Sequence, residues 1–173
     1  STGGTEMAEL RAWMVAKLLW DPTRDPRGLI REFTNGYFGP AGPHIHAYLD
    51  EIHHAVEKTG DWLTLSSPPD SPFLSLETLL ASWKHLAAAE ASVADQPEFL
   101  QRVEIAQLPV RFVYLVRWKN LKYLAFTRGR DWPLRDTQAE ELAAFREVVQ
   151  AYNISTGYSC NKMLEEISPA PSL

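Results

Sequence analysis

The stretch from Glu6 to Trp20 is the feature that most limits what this chain can build. It is rich in good helix formers, and Thr5, following the Gly3-Gly4 pair, is placed to cap it. At about 100° per residue, Met7, Leu10, Met14 and Leu18 form one stripe, with Val15 and Leu19 to one side and Trp13 and Trp20 to the other. Only Glu9, Arg11 and Lys17 interrupt this apolar perimeter. A helix of that kind demands cover on nearly every side, which is more than a small surface helix receives.

The rest of the chain is punctuated in the manner of helices. Asp21-Pro22-Thr23-Arg24 is a turn, and Asp25 with Pro26 behind it opens a second helix that Gly36 should stop near Asn35. After Gly39-Pro40-Ala41-Gly42-Pro43, a third helix runs from about Pro43 to Lys58 with Ile45, Leu49, Ile52 and Val56 at helical spacing. Residues 21–58 thus read as a helical hairpin. Residues 59–75, with Pro68, Pro69, Pro72 and several serines, read as a long loop. Ser75 caps a fourth helix to about Ala94, with Leu74 and Leu79 at the spacing of a hydrophobic staple.

Pro97 can open a fifth, long helix, which Pro109 should kink. The run Val110 to Val116 beyond it suits a strand by its β-branched and aromatic residues, yet Trp118, Leu121, Tyr123, Leu124 and Ala125 fit a continuing helix, and both readings stand at this point. Thr137 and Glu140 form a capping box for a last helix to about Tyr152, so 76–152 is a region of long helices. The expectation is one all-α domain over 1–168, an irregular helical bundle of five to seven helices with one Pro-kinked long helix, and a frayed tail at 169–173.

Composition excludes several classes. The 173 residues suffice for one sizeable core, and no apolar run approaches the roughly 18–20 residues that span a bilayer, so no membrane partner is expected. A formal net charge of −5, with basic residues scattered apart from Arg128 and Arg130, gives no electrostatic footprint for nucleic acid. The single cysteine, Cys160, offers neither an internal disulfide nor a paired thiolate metal site.

Between Glu9 and Ile52, the combination of Leu10-Arg11-Ala12-Trp13, Lys17-Leu18-Leu19-Trp20-Asp21-Pro22, Phe33, Tyr37-Phe38-Gly39-Pro40-Ala41 and Tyr48-Leu49 resembles the helical region after the barrel in bacterial glycoside-hydrolase-like proteins of the domain of unknown function 4838 class. The Leu-Trp-Asp-Pro helix end also looks like the post-barrel region of α-glucuronidases. The resemblance implies that a (β/α)8 barrel bears the catalytic carboxylates, that residues 1–20 correspond to its last loop and helix, and that the barrel itself lies outside this chain. It further implies a secreted or periplasmic, carbohydrate-directed parent protein, in which this chain is an accessory domain whose partners are the barrel and a glycan. A homodimer through exposed apolar surface is the alternative partner, and a free-standing helical interaction module the alternative function.

The residues themselves supply little chemistry. Glycoside hydrolysis needs two carboxyl groups about 5–5.5 Å apart for retention or about 6.5–9.5 Å for inversion, and Glu6 and Glu9 read first as acids in an opening helical turn, where the macrodipole favours them. No residue is assigned as catalytic and no cofactor is expected. Thr5 and Glu6, by their place at the barrel rim, and Trp62 and Trp132, as tryptophans in or beside loops, are the candidates for glycan contact, against a reading in which the tryptophans fold back onto helices. His46, Asp50, His53 and Glu57 fall on one helical face, the weak alternative for a metal site, and the same spacing describes a solvated face opposite Ile45, Leu49, Ile52 and Val56. A carboxylate-bridged di-metal bundle needs a second Glu-x-x-His, and only Glu51 to His54 carries one. No Gly-x-Ser-x-Gly, phosphate loop or Cys-x-x-Cys occurs.

Overall fold

A computed structural model describes residues 7–60, 67–155 and 158–167, and among these no strand occurs. The elements are α1 (Ala8–Trp20), α2 (Pro26–Phe38), a 3-10 turn (Gly39–Ala41), α3 (Gly42–Thr59), α4 (Leu76–Ser92), α5 (Pro97–Val116), α6 (Trp118–Thr127), α7 (Gln138–Ala151) and α8 (Tyr158–Glu166). The chain is therefore all-α, and 110–116 is helix.

Local chemistry accounts for most helix starts. The Asp25 carboxylate accepts from the backbone N–H groups of Arg27 (3.2 Å) and Gly28 (2.8 Å), and Ser75 Oγ accepts from Thr78 N–H (3.1 Å). Thr137 and Glu140 close the expected capping box. At the start of α1 the N-cap is Met7, with φ of 51° and no side-chain cap bond, while Thr5 lies outside the described residues.

Two boundaries differ from the sequence expectation, each for a tertiary reason, and one further helix is present. Gly36 does not stop α2, which continues to Phe38; the cost of an interior glycine, about 1 kcal/mol, is offset by burying Phe38. The fifth helix divides at Arg117, whose guanidinium donates to the carbonyls of Leu74 (2.7 Å) and Pro69 (3.3 Å) and so ties the break to the segment before α4. A short helix, α8, follows where sequence pattern gave no signal.

The junction of α2 and α3 is close. A Cβ on Gly42 would sit 2.7 Å from the Asn35 Cα and the Thr34 carbonyl oxygen, so only glycine lets the start of α3 lie on the end of α2. Gly39, at φ of 55°, likewise gives its space to the Phe99 ring of α5.

α3 pairs most extensively with α4, followed by α2 with α3 and α4 with α5. One cluster of buried side chains joins α1 to α6 and includes Ile45, Tyr48, Leu79, Leu86, Val103 and Tyr114. A second, with Leu108, Leu115, Trp118, Leu142, Phe145 and Leu164, joins α5 and α6 to α7 and α8. α5 supplies both, so it is the helix covered on most sides.

The one charge buried inside that run is paired. Arg111 Nε donates to Glu141 Oε1 at 2.5 Å, and the other Glu141 oxygen takes Arg135 Nη1 at 2.9 Å, which fastens α7 to α5. Near the other end of α7 the Tyr152 hydroxyl donates to the Glu104 carboxylate, and that bond pushes the phenol pKa up to about 12.

Glu141→Leu leaves the Arg111 charge buried without its partner, and chemical denaturation should show a loss of about 3–5 kcal/mol. Adding Arg111→Met should restore most of it. Equal losses in the single and double variants would mean that shape rather than charge pairing holds this contact.

Candidate functional site

α1 packs chiefly on α2. Leu10 is buried, and Trp13 and Met14 pack half-buried against the first core, with the Trp13 ring 5.7 Å from that of Phe33. Elsewhere on the helix there is no such cover: Val15 is 56% and Leu19 81% exposed on the side away from Leu10, and Trp20, at the C-terminal end on the Trp13 side, is 92% exposed. The apolar perimeter read from the sequence is thus satisfied on one side only. An aliphatic pair with an indole at one helix end is a surface that gains by contact with a matching apolar surface.

A second exposed aromatic pair lies on α6, where Tyr123 is 66% and Phe126 84% exposed. Lys122, on the same helix, is held elsewhere: its ammonium lies 5.5 Å from the Trp118 ring and 5.7 Å from that of Trp132, and it donates to the Asp136 carbonyl. Helical spacing alone did not single out Tyr123 and Phe126, since both also fit a buried continuation of the fifth helix.

Of the residues proposed for glycan contact, Thr5, Glu6 and Trp62 lie outside the described residues. Trp132 is half-buried and folds back on the bundle. Its ring meets Tyr114 at 5.4 Å and Trp118 at 4.9 Å, both nearly edge-on, and Nε1 donates to the Arg135 carbonyl at 3.1 Å. The structure gives Trp132 a packing role between the two cores.

On α3, His46 and Asp50 come together, with Nε2 3.5 Å from Oδ2, while His53 and Glu57 continue along the exposed side. Ile45 is buried and Leu49, Ile52 and Val56 are half-buried on the side toward the core. Among the described residues no three His, Cys, Asp or Glu side chains gather closely enough to hold a metal ion.

Two charged groups escaped the sequence reading. Arg102 lies over the Tyr37 ring at 4.4 Å, donates to the Tyr37 carbonyl at 2.5 Å and pairs with Glu98, so it staples α5 to α2. Arg111 pairs with Glu141 as described. A lone arginine inside the apolar run Val110 to Val116 was the available signal for a buried ion pair.

Replacing Trp132 by alanine removes these ring contacts and should lower stability by about 2–4 kcal/mol, read from denaturant unfolding with near-ultraviolet circular dichroism as the probe of Tyr114 and Trp118. A change below about 0.5 kcal/mol would show the indole to be a surface group instead.

Among the described residues no helix is long and apolar enough to cross a membrane. No curated protein and no solved structure matches the chain significantly. The family model described as Domain of unknown function (DUF4838) matches residues 1–50, so the segment from the start of the chain into α3 carries the sequence pattern of that family.

Proposed function

We propose that this chain is a non-catalytic helical domain of a secreted glycoside-hydrolase-like protein, in which α1 is the contact to a preceding (β/α)8 barrel and the bundle supports that barrel and takes part in glycan recognition. The observation that carries the reading is the uncovered C-terminal half of α1, where Val15, Leu19 and Trp20 stand in solvent while Leu10 and Trp13 are packed. Covering Leu19 and Trp20 alone would contribute roughly 3–6 kcal/mol before the costs of association. The family match over residues 1–50 contains this helix and supports its role as the joining element. In this reading the catalytic acid and base belong to the barrel.

A second reading, a free-standing interaction module or homodimer, draws on the exposed Tyr123 and Phe126 of α6, which give the bundle another apolar surface apart from the family-matching segment.

The two are separated by Leu19→Asp with Trp20→Asp. In the isolated chain both side chains are exposed, and the double substitution should change stability by no more than about 1 kcal/mol. In a polypeptide that joins this chain to the preceding barrel, the same change should lower the thermal midpoint and expose the junction to limited proteolysis. An unaltered joined protein removes the buttress reading. Hydrolysis of aryl glycosides by the isolated chain would remove it as well, and a concentration-dependent dimer abolished by Phe126→Asp would favour the module.

A further inference from the structure

A cavity of about 420 Å³ lies where α1, α2, α5, α7 and α8 meet, within the size range of about 300–1,000 Å³ typical of small-molecule sites. α5 turns one face along it: Arg102, Ile105, Ala106, Pro109, Phe112 and Val113 recur at three- and four-residue spacing, a lining roughly 16 Å long at about 1.5 Å per residue. Phe33 and Tyr37 of α2 and Phe145 of α7 add aromatic walls. The shape is therefore elongated and ring-lined.

Its polar groups are few. Arg102 lines the cavity, but its charge is already met by Glu98, the Tyr37 carbonyl and the Tyr37 ring. The Tyr37 hydroxyl is kept neutral, its pKa raised by burial and then by the Glu9 carboxylate. The Glu9 carboxylate lines the cavity as well and is an acceptor open to a guest. A carboxylate acceptor at the wall favours a guest that brings a hydrogen-bond donor.

We propose that this cavity is a binding site for an elongated, ring-containing apolar small molecule that carries a hydrogen-bond donor and no negative charge. An anionic guest would meet the Glu9 carboxylate with the Arg102 charge already engaged, and a glycan would bury many hydroxyls against too few partners. Its mainly apolar, ring-bearing wall favours an aromatic guest, whose ring surface is taken out of water on binding. The inference is independent of the proposed barrel contact, which uses the C-terminal half of α1, whereas the cavity meets its first turn.

The test is titration of the purified chain with 1-aminoanthracene, followed by fluorescence and calorimetry. The expected result is one site with a Kd on the order of 10 μM. Ala106→Leu should weaken binding by about tenfold or more by filling the cavity, whereas Phe126→Ser, on the remote α6 surface, should leave it unchanged. Because a leucine at 106 can also strain the bundle, a second readout uses the unaltered chain: the bound probe should slow alkylation of Cys160, which lines the same cavity, by a neutral thiol reagent. Anthracene carboxylate should bind at least about tenfold less tightly than the amine. Absence of saturable binding, binding lost with Phe126→Ser but not with Ala106→Leu, or unaltered Cys160 alkylation would each overturn the proposal.

Discussion

α5 is buried around most of its circumference, and the arrangement of the other helices follows from covering it. Val103, Val110, Val113 and Tyr114 face the cluster built with α2, α3 and α4, while Leu108 and Leu115 face α7 and α8. A helix apolar on two sides cannot sit at the surface of a two-layer bundle, so the chain places helices on both sides of it. Arg111, the buried charge of α5, is compatible with that position because Glu141 arrives on α7 to meet it. Breaking an ion pair of this kind costs more than replacing it with apolar side chains, so it acts as a register device for α7 as much as a source of stability.

The same argument makes the state of α1 informative. Its composition calls for cover as broad as that of α5, yet it packs mainly on α2 and leaves Leu19 and Trp20 in solvent. Two helices with similar demands therefore meet opposite fates within one fold. Since the first 50 residues carry the family pattern, the under-covered helix and the match coincide, and the support reading rests on that coincidence. The glycines of the α2–α3 junction keep this segment in a tight arrangement, because Gly42 admits backbone contact that any side chain would prevent.

Much of the helical framework was legible in sequence. Asp25, Ser75 and the Thr137–Glu140 box mark helix starts through hydrogen bonds made within one turn, and Leu74 with Leu79 marks the entry to α4. Gly36 misled because propensity competes with burial, and Phe38 decided the outcome. The break at Arg117 was hidden because its bonding partners, Leu74 and Pro69, lie more than forty residues back along the chain. Among the candidate site residues, Trp132 could be named as a loop-side aromatic, but its partners Tyr114 and Trp118 belong to other elements, so its packing role could not be read from spacing.

Helical class, the caps and the surplus apolar perimeter of the first helix are properties of neighbouring residues, and the sequence by itself determined them. Which of the two greasy helices would be enclosed, where Arg111 would find its carboxylate, and how α1, α2, α5, α7 and α8 would leave a ring-lined cavity between them were decided only by tertiary structure. The reason is physical: capping and periodicity act over one turn, whereas cover depends on which surfaces meet after the chain has doubled back several times.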